Sequence, residues 1–379
     1  NFSLTNSCVG VVSSFTSTST GAGPLVAQVW NWGDNSGTGM GANPTHTYAG
    51  PNTYTVKLVV TDGGLCKDSI SKPITIYPKP VISFTANPVC LGSPSAFTNS
   101  TTLNPAAAMT YAWDFDNNGT VDNTTLTPSN TYAVAGTYTV ELRANTPNGC
   151  RDSATVSVRV NSLPTATFTP VNACVGANIV LNNTSSVPNP DNISQYNWSF
   201  GAGASSATST NQNPAGLSYT GSGVKTITLN ITANTTCTAS ITKTVTVHPT
   251  PVSGFSATAV CQATQTAFTD LSTTGTGTIN AWSWDFTNDG TPDNLTQNPG
   301  FTYPASGTYT AALQVTSSNG CVNTFTLPVD VWGHTIPNSS PDNVCHGAPT
   351  TFTNNTNTTT NPNTGGAPTY VWAFNDGSP

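Results

Sequence analysis

The chain has 379 residues, and only 7% of them are charged. Its 16 acidic and 9 basic side chains give a formal net charge of −7 without a basic stripe, which argues against nucleic acid as a partner. No stretch approaches the roughly 18 to 20 apolar residues that cross a bilayer, so we expect no membrane insertion by this part of the protein. Threonine, serine, asparagine and glycine dominate, which predicts strands and turns and almost no helix.

The cysteines mark an internal repeat, because two sequence contexts alternate along the chain. The cysteines of the first context, which we call class 1, recur every 82 to 87 residues, through four units and the start of a fifth. We call the cysteines of the second context class 2. Proline-rich joints separate the units, so we expect domains at 1–78, 79–162, 163–249 and 250–335 and a partial domain at 336–379. Class 1 contains Cys8, Cys90, Cys174, Cys261 and Cys345; class 2 contains Cys66, Cys150, Cys237 and Cys321.

Each unit carries the same aromatic segment. It reads VWNWGD at 29–34, YAWDFD at 111–116, YNWSF at 196–200, WSWDF at 282–286 and YVWAF at 370–374. Aromatic side chains occupy every second position, which is the alternation of a strand with one buried face. An exposed row of rings would be a platform for sugars, but their shared direction favours the core of a β-sandwich.

A glycine turn and further alternating strands follow, as in SNTYAVAGTYTVELRA at 129–144, and seven short strands per unit are typical of an immunoglobulin-like sandwich. The motifs W-x-[FW]-x-D, N-P-x-H-x-Y and G-T-Y-T-V resemble those of the PKD domain family over essentially the whole chain. The third unit departs from them, with glycines at 201 and 203 in place of the acidic turn. The resemblance implies an all-β protein of tandem immunoglobulin-like sandwiches, which we expect to be arranged as a rod.

Nine cysteines in such an array predict disulfide bonds and an oxidising, extracellular setting. One alternative pairs the two classes within each unit. In a PKD-like sandwich, however, the two classes should lie at opposite ends of a domain, and α-carbons must come within about 7 Å to form a bond. This favours bonds between neighbouring units, Cys8 with Cys150, Cys90 with Cys237 and Cys174 with Cys321. Cys66, Cys261 and Cys345 would then pair with domains outside this chain.

Acidic turns after two aromatic segments are candidate calcium sites. The second unit matches the opening half of a calcium loop, since oxygen ligands at alternate positions can converge on one cation. The fourth unit has threonine at the second ligand position, and neither has the glutamate expected at the twelfth. Capping of an exposed turn is the alternative role. The residues are Asp114, Asp116, Asn118 and Asp122 in the second unit and Asp285, Asp289 and Asp293 in the fourth.

Two serines are candidate sites of O-glycosylation. Ser69 and Ser153 each follow an aspartate and precede a small apolar residue, a pattern that some gliding bacteria modify. Catalysis has little support, because the histidines are scattered and no unit offers a consistent pair of carboxylates apart from the turn acids. His46, within N-P-x-H-x-Y, is expected to be a packed structural residue.

These observations favour a non-enzymatic stalk of an extracellular, cell-surface filament or adhesin. Its partners would be neighbouring repeats of the same chain and, through a distal module, surface glycans or proteins. Two alternatives are accessory carbohydrate-binding modules beside a secreted hydrolase and subunits that self-assemble into a fibre. Because the fifth unit stops just after its aromatic segment, we expect the natural protein to continue.

Overall fold

The computed structural model describes residues 1–5, 7–333, 339–341, 350–355 and 370–373, and none of these lies in a helix. The prediction of an all-β fold is confirmed. Each of the first four repeats contains seven strands in two sheets, as the turn spacing and strand alternation predict. By contacts the chain divides into two compact units, the first comprising residues 1–165, 186–194 and 232–239 and the second comprising the remainder.

The first domain consists of a three-stranded and a four-stranded sheet. One sheet has the order β1-β2-β5 and the other the order β4-β3-β6-β7. The long hairpin of β6 and β7 is built from alternating apolar and polar residues, because one of its faces covers the core. The strands are β1 (Phe2–Thr5), β2 (Val12–Ser17), β3 (Leu25–Asn31), β4 (Thr38–Met40), β5 (Thr45–Thr47), β6 (Asn52–Asp62) and β7 (Lys67–Ile76).

The second domain pairs β12-β10-β8 in one sheet and β11-β13-β14-β9 in the other. The short strand β9 runs parallel to the end of β14, which brings the start of the domain beside its last residues. The strands are β8 (Phe84–Ala86), β9 (Val89–Cys90), β10 (Ser95–Asn99), β11 (Thr110–Asp114), β12 (Ser129–Asn130), β13 (Gly136–Asn145) and β14 (Arg151–Asn161).

The fourth domain repeats the orders of the second, with sheets β22-β24-β26 and β23-β28-β27-β25, whereas the third has a two-stranded sheet β15-β17 and a five-stranded sheet β16-β21-β20-β18-β19. The third domain contains β15 (Phe168–Pro170), β16 (Ala173–Cys174), β17 (Leu181–Asn183), β18 (Ile193–Ser199), β19 (Thr208–Ser209), β20 (Gly223–Ala233) and β21 (Thr238–His248). The fourth contains β22 (Phe255–Ala257), β23 (Val260–Cys261), β24 (Gln265–Asp270), β25 (Ile279–Asp285), β26 (Gly300–Thr302), β27 (Gly307–Ser317) and β28 (Val322–Trp332).

A fully buried tryptophan lies at the centre of each of the four interiors. Its indole N–H donates a 2.9 Å hydrogen bond to a backbone carbonyl 11 to 13 residues further along the chain. The aromatic residue two positions later is also buried, which confirms the prediction of a core strand. In the second, third and fourth domains the segment has an earlier ring, Tyr111, Tyr196 or Trp282, which is only half-buried, at the margin of the core. The four tryptophans are Trp30, Trp113, Trp198 and Trp284.

A buried tyrosine closes each interior by donating its hydroxyl to the carbonyl of that second aromatic residue. In the fourth domain Tyr303 donates to the Phe286 carbonyl at 3.0 Å. Burial raises the pKa of Tyr303 to about 12, with the neighbouring Tyr309 and Asp293 adding to the effect, so the hydroxyl remains a donor at neutral pH. The same bond is made by Tyr48, Tyr132 and Tyr219.

The fifth repeat is described in part. Strands β29 (Ser339–Pro341) and β30 (Phe352–Asn354) pair antiparallel. Cys345 and the last aromatic position of the fifth segment, Phe374, lie outside the described residues.

Candidate functional sites at the domain junctions and acidic loops

Class 1 cysteines lie where a domain passes into the next. Cys90 lies on a short strand that runs parallel to the last strand of its domain, where its ladder partner is Asn161. The ladder partners of Cys174 and Cys261 are His248 and Trp332. The residue after each cysteine donates its backbone N–H to the carbonyl of that last-strand partner, at 2.7 to 2.9 Å. These bonds hold the class 1 cysteines at the end of the domain from which the linker leaves.

Class 2 cysteines lie at the opposite end, after the turn of the long hairpin. In the second domain the Thr146 hydroxyl accepts the Cys150 backbone N–H at 3.1 Å, and Ser317 does the same for Cys321 at 3.2 Å. The residue before the cysteine has a left-handed backbone, which closes the turn. The two classes therefore occupy opposite ends of a domain, as the PKD resemblance implies.

Three disulfide bonds join neighbouring domains: Cys8–Cys150, Cys90–Cys237 and Cys174–Cys321. Their α-carbons are 5.6, 5.7 and 5.6 Å apart, within the usual range. These are the bonds of the neighbour alternative, and the alternative of pairing within units is wrong for these six cysteines. Among the described residues, Cys66 and Cys261 are unpaired.

The preceding domain covers the hairpin cysteine that it bonds. Cys150, Cys237 and Cys321 are each 1% exposed. The sulfur of Cys150 lies 3.8 Å from the Tyr77 carbonyl, at the end of the preceding domain. Cys66 occupies the equivalent hairpin position in the first domain and is exposed. Burial of class 2 cysteines is therefore a property of the junction and not of the isolated hairpin.

An ion pair reinforces the junction between the second and third domains. Arg159, near the end of β14, contacts Asp191 at 2.6 Å, and the Asp191 side chain is buried. A buried carboxylate needs such a partner, because an unpaired one loses its hydration without compensation. Sequence reasoning does not predict this pair, since the two residues are 32 positions apart and only their opposite charges indicate a contact.

The left-handed residue of the hairpin turn yields a stability prediction. Gly149 and Gly320 have φ of 80° and 79°, whereas Thr236 has φ of 69° in the same position. A β-branched residue is strained there, so we expect Thr236→Gly to raise the free energy of unfolding by about 1 kcal/mol. Urea titration measures the change.

The matched control is Gly149→Ala. A Cβ added at Gly149 meets no atom within 4 Å, so this variant tests backbone strain without a steric clash. We expect it to lose about 1 kcal/mol. An unchanged or lower stability of Thr236→Gly, with a normal loss in the control, would contradict the strain argument.

The acidic loop of the second domain gathers three of the predicted ligands. One carboxylate oxygen from each of Asp114, Asp116 and Asp122 lies within 4.8 Å of the others, the one such group among the described residues. The loop already uses these oxygens, because Asp114 accepts the N–H groups of Asn118 and Gly119 at 3.1 and 2.8 Å. Turn capping is thus observed, and calcium stays a prediction.

The fourth-domain loop has the same capping without the cluster. Asp285 accepts the N–H groups of Asp289 and Gly290 at 3.2 and 2.8 Å, and Asp293 accepts that of Phe286 at 2.7 Å. Thr287 stands where the second domain has Asp116. Within the described part of the chain, Asp285, Asp289 and Asp293 do not form a three-acid group.

The calcium prediction has a direct test. Three carboxylates can supply part of the six to eight oxygens that calcium takes. We expect 1 mM calcium, compared with EGTA, to raise the thermal unfolding midpoint of the second domain by a few degrees, as binding to the folded state requires. Asp116→Asn should abolish the rise, whereas Asp289→Asn should leave it intact. Equal midpoints in calcium and EGTA would leave the acids as turn caps.

Acid is expected to destabilise the second domain. Burial alone would raise the pKa of Asp114. The N–H groups of Gly119 and Asn118, which donate hydrogen bonds to its carboxylate, outweigh burial and lower this pKa. The hydrogen bond from Arg143 lowers the pKa of Glu141. Both carboxylates therefore stabilise the fold above a pH of about 4, and this contribution is lost as the pH falls through their lowered pKa values.

Urea midpoints measured from pH 7 to pH 2.5 check this expectation. Asp114→Asn should be less stable than the parent at pH 7 and should lose less stability on acidification. Parallel curves for the two proteins would show that Asp114 does not contribute to the pH dependence.

In the first domain a histidine–aspartate pair, His46 and Asp34, takes the place of the acidic loop. His46 stacks on Trp32 with 4.8 Å between ring centroids, and its Nε2 lies 2.7 Å from Asp34. The Ser36 hydroxyl donates to Asp34 at 2.6 Å and lies 3.4 Å from the same Nε2. A catalytic triad needs the acid and the hydroxyl on opposite ring nitrogens, so this cluster has a packing geometry and not that of an activated serine.

The candidate glycosylation sites are both exposed. Ser69 and Ser153 are the third residues of β7 and β14, and each donates its backbone N–H to the preceding aspartate. Exposure makes the hydroxyls accessible, and their modification stays a prediction.

Comparison with known proteins places these features in one family. The family model of the PKD domain matches residues 4–76, 77–160, 161–249 and 246–331. Among the described residues no helix is long and apolar enough to span a membrane. PKD domains are non-catalytic immunoglobulin-like modules, and such domains with disulfide bonds are typical of extracellular structural or binding proteins.

Several solved structures are similar to this chain. The PKD1 domain of Vibrio anguillarum Epp is 25% identical, over 23% of this chain and 99% of its own, with a TM-score of 0.20. The three N-terminal domains of the outer capsid protein Hoc of bacteriophage RB49 are 13% identical, over 65% and 97%, with a TM-score of 0.34. The four family matches together cover most of the sequence, and the chain belongs to the PKD domain family as a tandem array.

Proposed function

We propose that this array is the stalk of an extracellular, cell-surface filament or adhesin, in which the domains act as spacers and the array itself carries no catalysis. The observation that supports the proposal most is the repeated covalent bond between neighbouring domains, from the first domain to the fourth. A flexible string of binding modules has no need of such bonds. A stalk that must keep its domains in register needs such bonds between them.

The composition of the surface supports the same role. With 7% charged residues, the chain presents mainly neutral polar side chains. Few of its features would bind a charged ligand, and adhesion would then belong to a distal module that contacts surface glycans or proteins.

The proposal is tested on cells that produce the protein. An antibody raised against the array should label intact cells, and negative-stain electron microscopy should show thin filaments that the antibody decorates along their sides. Labelling only of the culture medium would contradict attachment to the surface. Branched or laterally packed bundles would favour the self-assembling fibre.

Accessory glycan binding is the second candidate, because some aromatic side chains of the fourth domain are partly exposed. Phe325 is 37% and Trp332 is 38% exposed. A glycan array distinguishes the roles: binding that Trp332→Ala abolishes would favour the accessory module, and no binding would favour the stalk.

A further inference from the structure

The spacing of the cysteines separates the chain into constant and variable parts. From each class 2 cysteine to the next class 1 cysteine the distance is 24 residues in all four cases: 66 to 90, 150 to 174, 237 to 261 and 321 to 345. From class 1 to class 2 within a domain it varies from 58 to 63 residues. Each constant segment contains the last strand of one domain, a linker and the first strand of the next.

The disulfide bonds connect these constant segments to each other. Starting at Asn1, a covalent path reaches Cys8, crosses to Cys150, follows the backbone to Cys174 and crosses to Cys321. We call this the first covalent path. It bypasses residues 9–149 and 175–320, which include most of the buried core residues of the four domains.

The remaining bond makes a second covalent path. It runs from Cys66 to Cys90, crosses to Cys237 and continues to Cys261. The two paths use alternate constant segments and share no residue. The variable parts of every domain lie outside both paths, which gives a physical reason why their lengths can differ while the constant segments cannot.

We propose that the disulfide bonds make this chain a tension-bearing element with two staggered covalent paths, so that a pulling force passes around the sandwich cores and does not unfold them. The inference rests on the proposed stalk function, for which load is the natural demand. The unpaired Cys66 and Cys261 are the two ends of the second path within this chain.

The lengths involved are large enough to measure. Between Asn1 and Gly333 the first covalent path contains about 46 residues, or roughly 160 Å when extended at about 3.5 Å per residue. Its segment from Cys150 begins with the 11-residue strand β14, which is already extended, so pulling adds little. Unfolding one unprotected domain of about 80 residues would instead add roughly 250 Å.

Single-molecule force spectroscopy on the full chain, held at Asn1 and Pro379, tests the proposal. Two double variants each remove one disulfide bond and create no new unpaired cysteine. They are Cys8→Ser with Cys150→Ser, and Cys90→Ser with Cys237→Ser. The variant without Cys8–Cys150 interrupts the first covalent path, so the pulling force must pass through the first domain. The second removes a bond of the same kind but leaves that path closed, and it is the matched control.

We expect the parent and the control variant to extend equally, and the variant without Cys8–Cys150 to extend by at least roughly 250 Å more. Residues after Cys321 are in line in every protein and cancel in the comparison. Reduction should give a further step of this size for each of the four domains. Far-UV circular dichroism before pulling shows that each variant is folded.

Two results would overturn the proposal. One is that the parent shows the long steps without reduction; the other is that both variants lengthen equally. Neither result depends on where the protein is located, so a failure of the tension-bearing role is distinguishable from a failure of the surface-stalk proposal.

Discussion

Replacing Trp284 by alanine is expected to lower the free energy of unfolding of the fourth domain by about 4 to 5 kcal/mol. The indole is completely buried and contacts the rings of Phe255, Phe268 and Phe286, with centroids 5.0 to 6.0 Å away. Alanine leaves a cavity between the two sheets. It also removes the donor to the Thr296 carbonyl, which loses its 2.9 Å hydrogen bond from the indole.

This loss is comparable to the whole stability of one domain. At about 0.05 to 0.15 kcal/mol per residue, a domain of about 80 residues has roughly 4 to 12 kcal/mol. We therefore expect a separate, early transition for the fourth domain in urea, followed by near-UV circular dichroism.

Trp282 supplies the control on the same strand. It is half-buried, and its indole N–H donates to Asp270 at 2.6 Å. Trp282→Ala should cost about 1 to 2 kcal/mol. Equal losses for the two variants would show that position in the core does not govern the effect.

Much of the fold can be predicted from the sequence, because the same alternation of apolar and polar residues recurs in every repeat. A period of two in the aromatic segment predicts a strand with one buried face, and Trp113 and Phe115 are buried as expected. Tyr111 is only half-buried, although its position in the period is the same. Alternation gives the face of a strand on which a ring lies, but not how far the facing sheet extends over it.

The candidate sites were less predictable. The PKD resemblance favours bonds between neighbours, because it puts the two classes of cysteine at opposite ends of a domain. The Arg159–Asp191 pair depends instead on how a linker places one domain on the next. Likewise the opening half of a calcium loop brings Asp114 and Asp116 together, but this motif is compatible both with a metal and with the backbone N–H groups that Asp114 caps.

Removing the Cys174–Cys321 bond is expected to have the second large effect. The bond closes a loop with a sequence separation of 147 residues. In the chain-entropy model, its loss lowers the free energy of unfolding of the joined domains by about 5 kcal/mol, because the unfolded chain gains freedom. The variant Cys174→Ser with Cys321→Ser should accordingly unfold at a lower urea concentration, measured by tryptophan fluorescence.

The unpaired Cys66 makes the control informative. Cys66→Ser changes the same sulfur to oxygen at the equivalent hairpin position, but on an exposed side chain that closes no loop. It should change stability by less than about 0.5 kcal/mol. If the bonded and unbonded cysteines gave the same small change, the junctions would owe their order to contacts such as Arg159–Asp191 and not to the covalent bonds. A large loss confined to the bonded pair would instead show that closure of the loop by the disulfide, and not the sulfur atom alone, stabilises the joined domains.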